Sequence, residues 1–454
     1  MEIPFPFEPF IVFGYLAIFL LIGVILRAKI VFSQHFLVPS CLIGGILGLI
    51  LTSTGVIHLS SSLLETFAYH FFNISFISVG LTYSDNKEKP VGGSKEYLKG
   101  PLWMALTEGV AFSLQAIVGG LFVILFSIFG LHLFSTFGFL TPLGFEEGPG
   151  QALSFGKVWE GFGFTHAATI GMTFATIGFL FAIFVGVPLA NWGIRKGLAT
   201  HAPKELPQDF LVGIIPKDQK KEAAGELTMH SGNVETLAFQ TALIGLVYLL
   251  TYALVKMLAG VLPPDLAATS WGFFFIFGLI IAIIVRTLMG KAGVRHLIDP
   301  GLQRRITGCA VDFLIVSTVT AIQVVIVWKY ILPILAISLT SGILTLLVVL
   351  YLGKRIWSYN LERLLAIFGT VTGTIATGLL LLRIVDPEFK GPTTIEIGLM
   401  NLFAVPIILG GTLLVNGPVW WDWSVGLTVL VFFGLMVLFL AFIKLFKFWG
   451  APKF

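Results

Sequence analysis

Two glycine-rich stretches carry the residue types that could hold a small ion or a carboxylate. The first, GFEEGPGQALSFGKVWEGFGF (144–164), combines the adjacent carboxylates Glu146 and Glu147 with glycines, a proline and a glutamine. The second, IFGTVTGTIATGLLLLR (367–383), mixes glycines with threonines. Glycine lets a backbone turn and approach a ligand closely, and threonine hydroxyls offer oxygens to a cation. Both stretches are therefore candidate binding segments.

The composition places these segments in a membrane protein. Hydrophobic residues make up 56% of the chain and charged residues 11%, whereas soluble domains average about 25% charged residues. Apolar runs long enough to cross a bilayer recur along the whole length, and no alternating strand pattern dominates. We therefore predict an all-α polytopic protein of the cell inner membrane or plasma membrane.

Other residue types argue against enzymatic and nucleic-acid functions. No Ser/His/Asp arrangement or metal-ligand spacing of histidines is discernible, and Cys41 and Cys309 lie in apolar runs, as inert thiols do. The net charge of +4 comes from scattered loops rather than a basic stripe. The N-terminus, MEIPFPFEPF, lacks the basic start of a secretory signal, so the first run is interpreted as a retained span. We expect no cofactor beyond a coupling ion.

Eleven apolar runs are predicted spans. They cover residues 10–27, 36–57, 64–83, 101–131, 165–190, 235–259, 268–289, 309–328, 331–352, 394–415 and 424–444. Two further stretches, at about 142–162 and 361–384, are apolar enough to enter the membrane but are interrupted by glycines and hydroxyl residues. We predict re-entrant segments there.

The basic residues test this division independently, because cytoplasmic loops hold most Lys and Arg. With these spans, every Lys and Arg except Lys157, Lys256 and Lys329 falls on the same side of the membrane. One missed span would move every later loop to the opposite side, so the distribution supports the number of spans. The pattern predicts the N-terminus outside and the C-terminus inside.

A polar linker at 195–234, which includes PKDQKKEAAGE, divides the chain. Residues 1–194 and 235–415 form two predicted repeats, each with five spans and an interrupted segment between the fourth and fifth, and 416–454 adds a span and a tail. Because five is odd, the repeats enter the membrane from opposite sides. Inverted repeats with broken segments at matched positions indicate a secondary transporter's binding site. Taken alone, the second segment could equally be a kinked span whose small residues pack against a neighbour.

The run GPGQALSFGKVWEGFGFTHAATIGMTFATIGFLFAIFVGVPLANW (148–192) resembles the bacterial sodium/glutamate symporter family, in which a glycine-rich tip precedes a small helix, GF, a TFG-like span and a GxP exit. FFNISFISVGL (71–81), SLQAIVGG (113–120) and TVTGTIATGLLL (370–381) are similar to that family's third span, fourth span and second tip. The chain looks like a divergent member over most of 10–415. The resemblance implies a homodimer that imports an acidic amino acid such as glutamate with sodium, by alternating access around two opposed tips.

Three features depart from the family pattern. The first tip of the family commonly carries GGHGT, where residues 147–151 here are EGPGQ. The second tip usually has a TPT core, where residues 374–376 are TIA. The span at 424–444 is an addition. Without the tip histidine, the substrate stays open between glutamate, another dicarboxylate and another amino acid, and a proton could replace sodium.

Ionisable side chains inside spans need a partner or a function. Asp312 could help coordinate sodium near the second tip, or pair with Arg304 or Arg305 at the cytoplasmic end of its span. Asn73 and Ser75 occupy the equivalent place in the third span. These polar groups are candidate sodium ligands.

Five further charged residues have two interpretations each. Glu108 either snorkels to the inner face or takes part in binding. Lys157 and Arg383, which follow the first and second tips, could attract a substrate carboxylate or anchor the chain at the interface. Glu146 and Glu147 face the external water in this topology, where they would concentrate sodium or form an ordinary solvated loop.

The tips and the resemblance together give two sets of candidate ligands. The predicted substrate-binding residues are Gly148, Pro149, Gly150, Gln151, Ser154, Gly373, Thr374, Thr377 and Arg383. The predicted sodium ligands are Asn73, Ser75, Asp312, Thr370 and Thr372. The competing functions are a proton-coupled or passive permease or channel for another small carboxylate, and an intramembrane enzyme or structural subunit. The expected partners are the anionic substrate, sodium, the bilayer and a second copy of the chain, with no nucleic acid.

Overall fold

The computed structural model describes most of the chain, in the ranges 5–82, 98–202, 207–219, 221, 223–387 and 390–454. Every regular element in those ranges is helical. Parts of the 195–234 linker lie outside these ranges. So do five of the lysines that the predicted topology places on the cytoplasmic face: Lys87, Lys89, Lys95, Lys204 and Lys220.

The helices of the first part of the chain alternate between long apolar elements and short ones. They are α1 (Glu8–Lys29), α2 (Val31–His35), α3 (Ser40–Ser53), α4 (Ser61–Leu81), α5 (Lys99–Ile128), α6 (Leu140–Phe145), α7 (Pro149–Gly161), α8 (Ala167–Arg195) and α9 (Gln208–Val212). A 3-10 turn, Phe137–Phe139, leads into α6. Helices α6 and α7 form a helix–turn–helix hairpin at the predicted 142–162 interruption.

The second part of the chain also contains both long and short helices. They are α10 (Thr236–Val261), α11 (Pro264–Gly272), α12 (Phe274–Lys291), α13 (Pro300–Ala321), α14 (Val324–Lys329), α15 (Ile331–Gly353), α16 (Asn360–Val371), α17 (Ile375–Val385), α18 (Thr393–Leu414), α19 (Gly417–Trp420) and α20 (Val425–Leu445). Helices α16 and α17 form a second hairpin, at the predicted 361–384 interruption.

Eight of the described helices are long and apolar enough to cross a membrane. A described helix overlaps every predicted span, but α3, α4 and α13 are not among those eight. Helix α3 has only 14 residues, because Pro39 directly precedes it and Gly55, with a φ of 74°, follows its last turn. The chain is therefore a polytopic helical membrane protein in which some helices are shorter or more polar than the sequence predicted.

Helix α13 begins earlier than its predicted span, 309–328, because its start is capped. The Asp299 carboxylate accepts hydrogen bonds from the backbone N–H of Leu302 at 2.6 Å and of Glu226 at 3.2 Å. Pro300 occupies the first helical position, where its missing N–H costs nothing. The cap also ties the end of the polar linker to this helix.

Helices α4 and α13 pack against each other. Each is flanked by a helix from the other part of the chain, since α12 packs against α4 and α3 against α13. Small residues make both contacts close. A Cβ on Gly80 would lie 2.6 Å from the Cβ of Ala282, and one on Gly45 would lie 2.7 Å from the Cβ of Val319.

Helices α5 and α8 lie in the interior beside the hairpins. In each of these two helices, 67% of the most apolar segment is buried. The buried share of the corresponding segment is 22% in α1, α10, α12 and α20. Helix α5 packs against α15, α18 and α20, and α8 packs against both arms of the first hairpin. Polar groups on α5 and α8 are therefore placed to reach the hairpin turns.

A glycine contact holds α5 against the turn that leads into the first hairpin. A Cβ on Gly119 would overlap the Gly138 carbonyl oxygen, and a backbone oxygen cannot swing aside as a side chain can.

We expect Gly119→Ala to lower the free energy of unfolding by roughly 1–3 kcal/mol, measured by thermal unfolding in detergent. Gly14→Ala in α1 is the control, because a Cβ there meets nothing within 4 Å. Equal melting temperatures for the two variants would contradict the contact.

Candidate functional site

The first hairpin turns at residues 146–148. Gly148 has a φ of 82°, a conformation that side chains rarely adopt, and Pro149 is the first residue of α7. Proline suits this position because the N–H that it lacks would have no partner within the helix. The local sequence GPG therefore sets both the turn and the start of α7.

The second hairpin turns at residues 372–374. Thr374 is extended, with a φ of −158°, and directly precedes α17. Helices α16 and α17 approach each other at Gly369 and Gly378, where a Cβ on Gly369 would lie 2.8 Å from the Cα of Gly378. These glycines let two antiparallel helices leave a turn of only three residues.

The tips of the two hairpins touch each other. A Cβ on Gly148 would lie 2.9 Å from Thr374 Cγ2 and 3.4 Å from the Gly373 carbonyl oxygen. Helices α7 and α17 both begin at this junction. Their first backbone hydrogen bonds run from the Ala152 N–H to the Gly148 carbonyl and from the Gly378 N–H to the Thr374 carbonyl. The backbone N–H groups earlier in the first turn of each helix have no acceptor within the helix. They give the junction a partial positive charge.

Uninterrupted neighbours hold the second tip through its backbone. The Gln115 amide of α5 donates to the Val371 carbonyl at 2.9 Å and to the Thr345 hydroxyl of α15 at 3.3 Å. Gly178 of α8 makes room for the Thr372 carbonyl, since a Cβ there would lie 2.8 Å from that oxygen. Three helices thus position this tip.

Two contacts fix the hairpins away from their tips. Arg363 of α16 donates to both carboxylate oxygens of Glu396 in α18, at 2.7 and 2.6 Å, and both residues are buried. Gly150 of α7 packs against the ring of Phe72 in α4. Each hairpin is therefore anchored to a long helix as well as to the other tip.

Gln151 connects the first tip to α18. Its amide nitrogen donates to the Glu147 carboxylate at 2.8 Å, and its side-chain oxygen accepts from the Thr412 hydroxyl at 3.5 Å. Asn416 donates to the Thr412 carbonyl and accepts from the Trp159 indole N–H, both at 2.7 Å. A chain of polar contacts thus runs beside α7 into the protein interior.

The structure brings all but one of the predicted substrate-binding residues onto the two hairpins around their contact. Ser154 lies one turn beyond the first tip and donates its hydroxyl to the Gly150 carbonyl at 2.8 Å. The hydroxyls of Thr374 and Thr377 lie 3.4 Å apart. The residues in the turns and the first turn of each following helix are Gly148, Pro149, Gly150, Gln151, Gly373, Thr374 and Thr377.

The two basic residues that follow the tips, Arg383 and Lys157, contact other groups in the structure. Arg383 lies near the far end of α17, exposed, with its guanidinium 5.4 Å from the ring centre of Phe210. Lys157 contacts Glu65 at 2.7 Å and Glu160 at 3.0 Å. Each lies more than one helical turn beyond its tip, along α7 or α17, and substrate binding by Arg383 stays a prediction.

The predicted sodium ligands lie on α4 and α13 and at the end of α16, and their role stays a prediction. Ser75, Thr370 and Thr372 each donate their hydroxyl to a carbonyl of their own helix, at 2.7, 2.9 and 2.6 Å. Asn73 is fully buried in α4. Asp312 is exposed and lines a cavity with Arg304 and Arg305 to which neither hairpin contributes.

A cluster of carboxylates beside the first tip was missed in the sequence. One oxygen from each of Glu108, Glu146 and Glu147 lies within 4.8 Å of the others. Glu146 is only 3% exposed, so the prediction that it faces the external water is wrong, and Glu108 is 6% exposed. The adjacent pair is visible in the sequence, but only the packing of α5 against α6 brings Glu108 to it.

The sequence of the chain matches a known protein family. The sequence model of the sodium/glutamate symporter family matches residues 10–378, which include both hairpin turns and the carboxylate cluster. Helices α18 and α20 lie beyond the match. No curated protein matches the chain. Because the match covers well over half of the sequence, the chain belongs to the sodium/glutamate symporter family.

Proposed function

We propose that this protein is a sodium-coupled symporter that carries an acidic amino acid such as glutamate by alternating access around the two hairpin tips. Membership of a family of membrane transporters supports the class of function. The single observation that carries the proposal is the contact between the tips at Gly148 and Thr374. In transporters of this kind, broken helices meet where the substrate binds.

The two tips offer a reason for an acidic substrate. Helices α7 and α17 both start at the junction, and a helix N-terminus favours a negatively charged group. An acidic amino acid has two carboxylates, and the junction has two such N-termini. Gln151 and the hydroxyls of Thr374 and Thr377 supply further polar atoms beside them.

The order and packing of the helices support the proposed inverted repeats. Helices α1, α3, α4, α5 and α8 correspond in order to α10, α12, α13, α15 and α18, and a hairpin precedes the last helix of each set. Helix α4 packs against α12 of the other part, and α13 packs against α3. A two-fold relation between the two parts of the chain would produce this reciprocal packing. On this proposal 1–194 and 235–415 are the repeats, joined by a cytoplasmic linker, and the hairpins are re-entrant from opposite sides.

The proposed homodimer and the inner-membrane or plasma-membrane location come from the family resemblance and the hydrophobic spans. Sodium is the proposed coupling ion on the same grounds. A proton-coupled or passive carrier, or a channel, for another small carboxylate is the alternative that transport measurements must separate.

Transport by purified protein in liposomes tests the coupling. An inward sodium gradient should drive uptake of radiolabelled glutamate above its equilibrium level, while an equal gradient of choline should not. Liposomes without protein are the control. Accumulation driven by a pH gradient without sodium would support proton coupling instead, and unitary currents in a planar bilayer would support a channel.

The contact between the tips can be tested at Gly148. Gly148→Ala adds a methyl group 2.9 Å from Thr374 and strains a φ of 82°, so the tips cannot close as they do here. We expect glutamate uptake to fall about tenfold or more, which corresponds to ~1.4 kcal/mol. Gly161→Ala, at the other end of α7 and in open space, is the matched control. Normal uptake by a folded Gly148→Ala protein would argue against transport through the tips.

The proposed orientation has its own test. Green fluorescent protein fused after Phe454 should fluoresce, and alkaline phosphatase fused at the same place should be inactive, because the C-terminus lies inside. The opposite result at that position would reverse the orientation of every span. It would leave the contact between the hairpins unaffected.

A further inference from the structure

The carboxylate cluster of Glu108, Glu146 and Glu147, hereafter the acidic triad, is not explained by a substrate site for anions. Glu108 belongs to α5, and the other two residues form the turn of the first hairpin. Their nearest oxygens all lie within 4.8 Å of one another. Like charges this close in a buried site are unfavourable unless something compensates them.

The hydrogen bonds around the triad leave its oxygens available. Both carboxylate oxygens of Glu146 and Oε2 of Glu108 are buried without a hydrogen-bond partner among the described residues. The Gln151 amide donates to Oε2 of Glu147. The side chains of Glu146 and Glu108 are 3% and 6% exposed, so bulk water does not replace the missing donors.

Ion pairs in the described part of the chain do not supply the compensation either. The carboxylates that contact Lys or Arg there are Glu65 and Glu160, with Lys157, and Glu396, with Arg363. The oxygens of Glu146 and Oε2 of Glu108 therefore accept no hydrogen bond from a described neighbour, and no described Lys or Arg offsets the charge that the triad carries when it is ionised. A bound cation would offset part of that charge and would supply the missing contacts.

We propose that the acidic triad is a sodium site of this chain. Oxygens no more than 4.8 Å apart can share one hard cation, because a hard cation such as Ca²⁺ is held at about 2.3–2.6 Å by carboxylates and other oxygen ligands. Carboxylate oxygens are hard ligands and do not favour soft metals. Sodium is the hard cation that this family is named for.

The position of the triad gives sodium a role in substrate binding, a step that depends on the proposed function. Glu147 directly precedes Gly148, which contacts the second tip. An empty triad repels an acidic substrate at the junction, and a bound cation reduces that repulsion. Sodium and substrate would therefore each increase the affinity for the other, by the same factor.

Thermal unfolding of the purified full-length protein in detergent tests the site. Sodium chloride should raise the melting temperature of the wild type relative to choline chloride at equal ionic strength. Glu146→Gln and Glu108→Gln should each weaken sodium binding about tenfold or more, a loss of ~1.4 kcal/mol. Glu235→Gln, at an exposed position before α10, should behave like the wild type.

The melting temperature in choline chloride without sodium shows whether a variant has lost stability for a reason unrelated to sodium binding. Because each Glu→Gln change removes repulsion, both triad variants should melt at or above the wild-type temperature without sodium. Lower melting in choline, or an unchanged response to sodium, would overturn the proposal. So would stabilisation of the wild type by calcium chloride and not by sodium chloride.

Uptake in liposomes distinguishes failure of this site from failure of the proposed function. Sodium-driven glutamate uptake together with an unaltered sodium response in Glu146→Gln would refute the triad and leave symport intact. A wild type that binds sodium through the triad but takes up no acidic solute would refute symport and leave the triad as a cation site.

Discussion

The structure depends on the requirement that polar groups inside a membrane find partners within the protein. A hydrocarbon layer offers no hydrogen bonds, so a turn at membrane depth persists only where other protein groups or a wet cavity surround it. Here the two hairpin turns meet each other, and Gln115 and Gly178 bring α5 and α8 against the second turn. The proposed binding region therefore coincides with the place where the interrupted backbone is supported.

Close packing of small residues makes that meeting possible. Gly119 and Gly138 bring α5 to the turn before the first hairpin, and Gly369 and Gly378 close the second hairpin on itself. These contacts involve backbone atoms, which cannot swing aside as a side chain can. Because Glu108 and Gly119 lie on the same helix, α5, the carboxylate cluster is connected through that helix to the turn before the first hairpin.

The sequence predicted where the chain is interrupted, because glycine, proline and threonine leave local signals at 146–151 and 369–378. It could not predict which side chains meet, since Glu108 reaches Glu146 only through the packing of helices distant in sequence. Asp312 shows the same limit: its place in its span suggested a sodium ligand, but its helix faces it toward a cavity lined by Arg304 and Arg305. Periodicity and turn chemistry are local, whereas a binding site is made by tertiary contacts.

On the proposed mechanism, sodium and an acidic substrate bind cooperatively where the two tips meet. Calorimetric titration of glutamate into the purified protein, once in sodium chloride and once in choline chloride, measures this coupling without any transport step. We expect the dissociation constant for glutamate to be about tenfold or more lower in sodium, equivalent to a coupling free energy of ~1.4 kcal/mol or more. Equal dissociation constants in the two salts would contradict it.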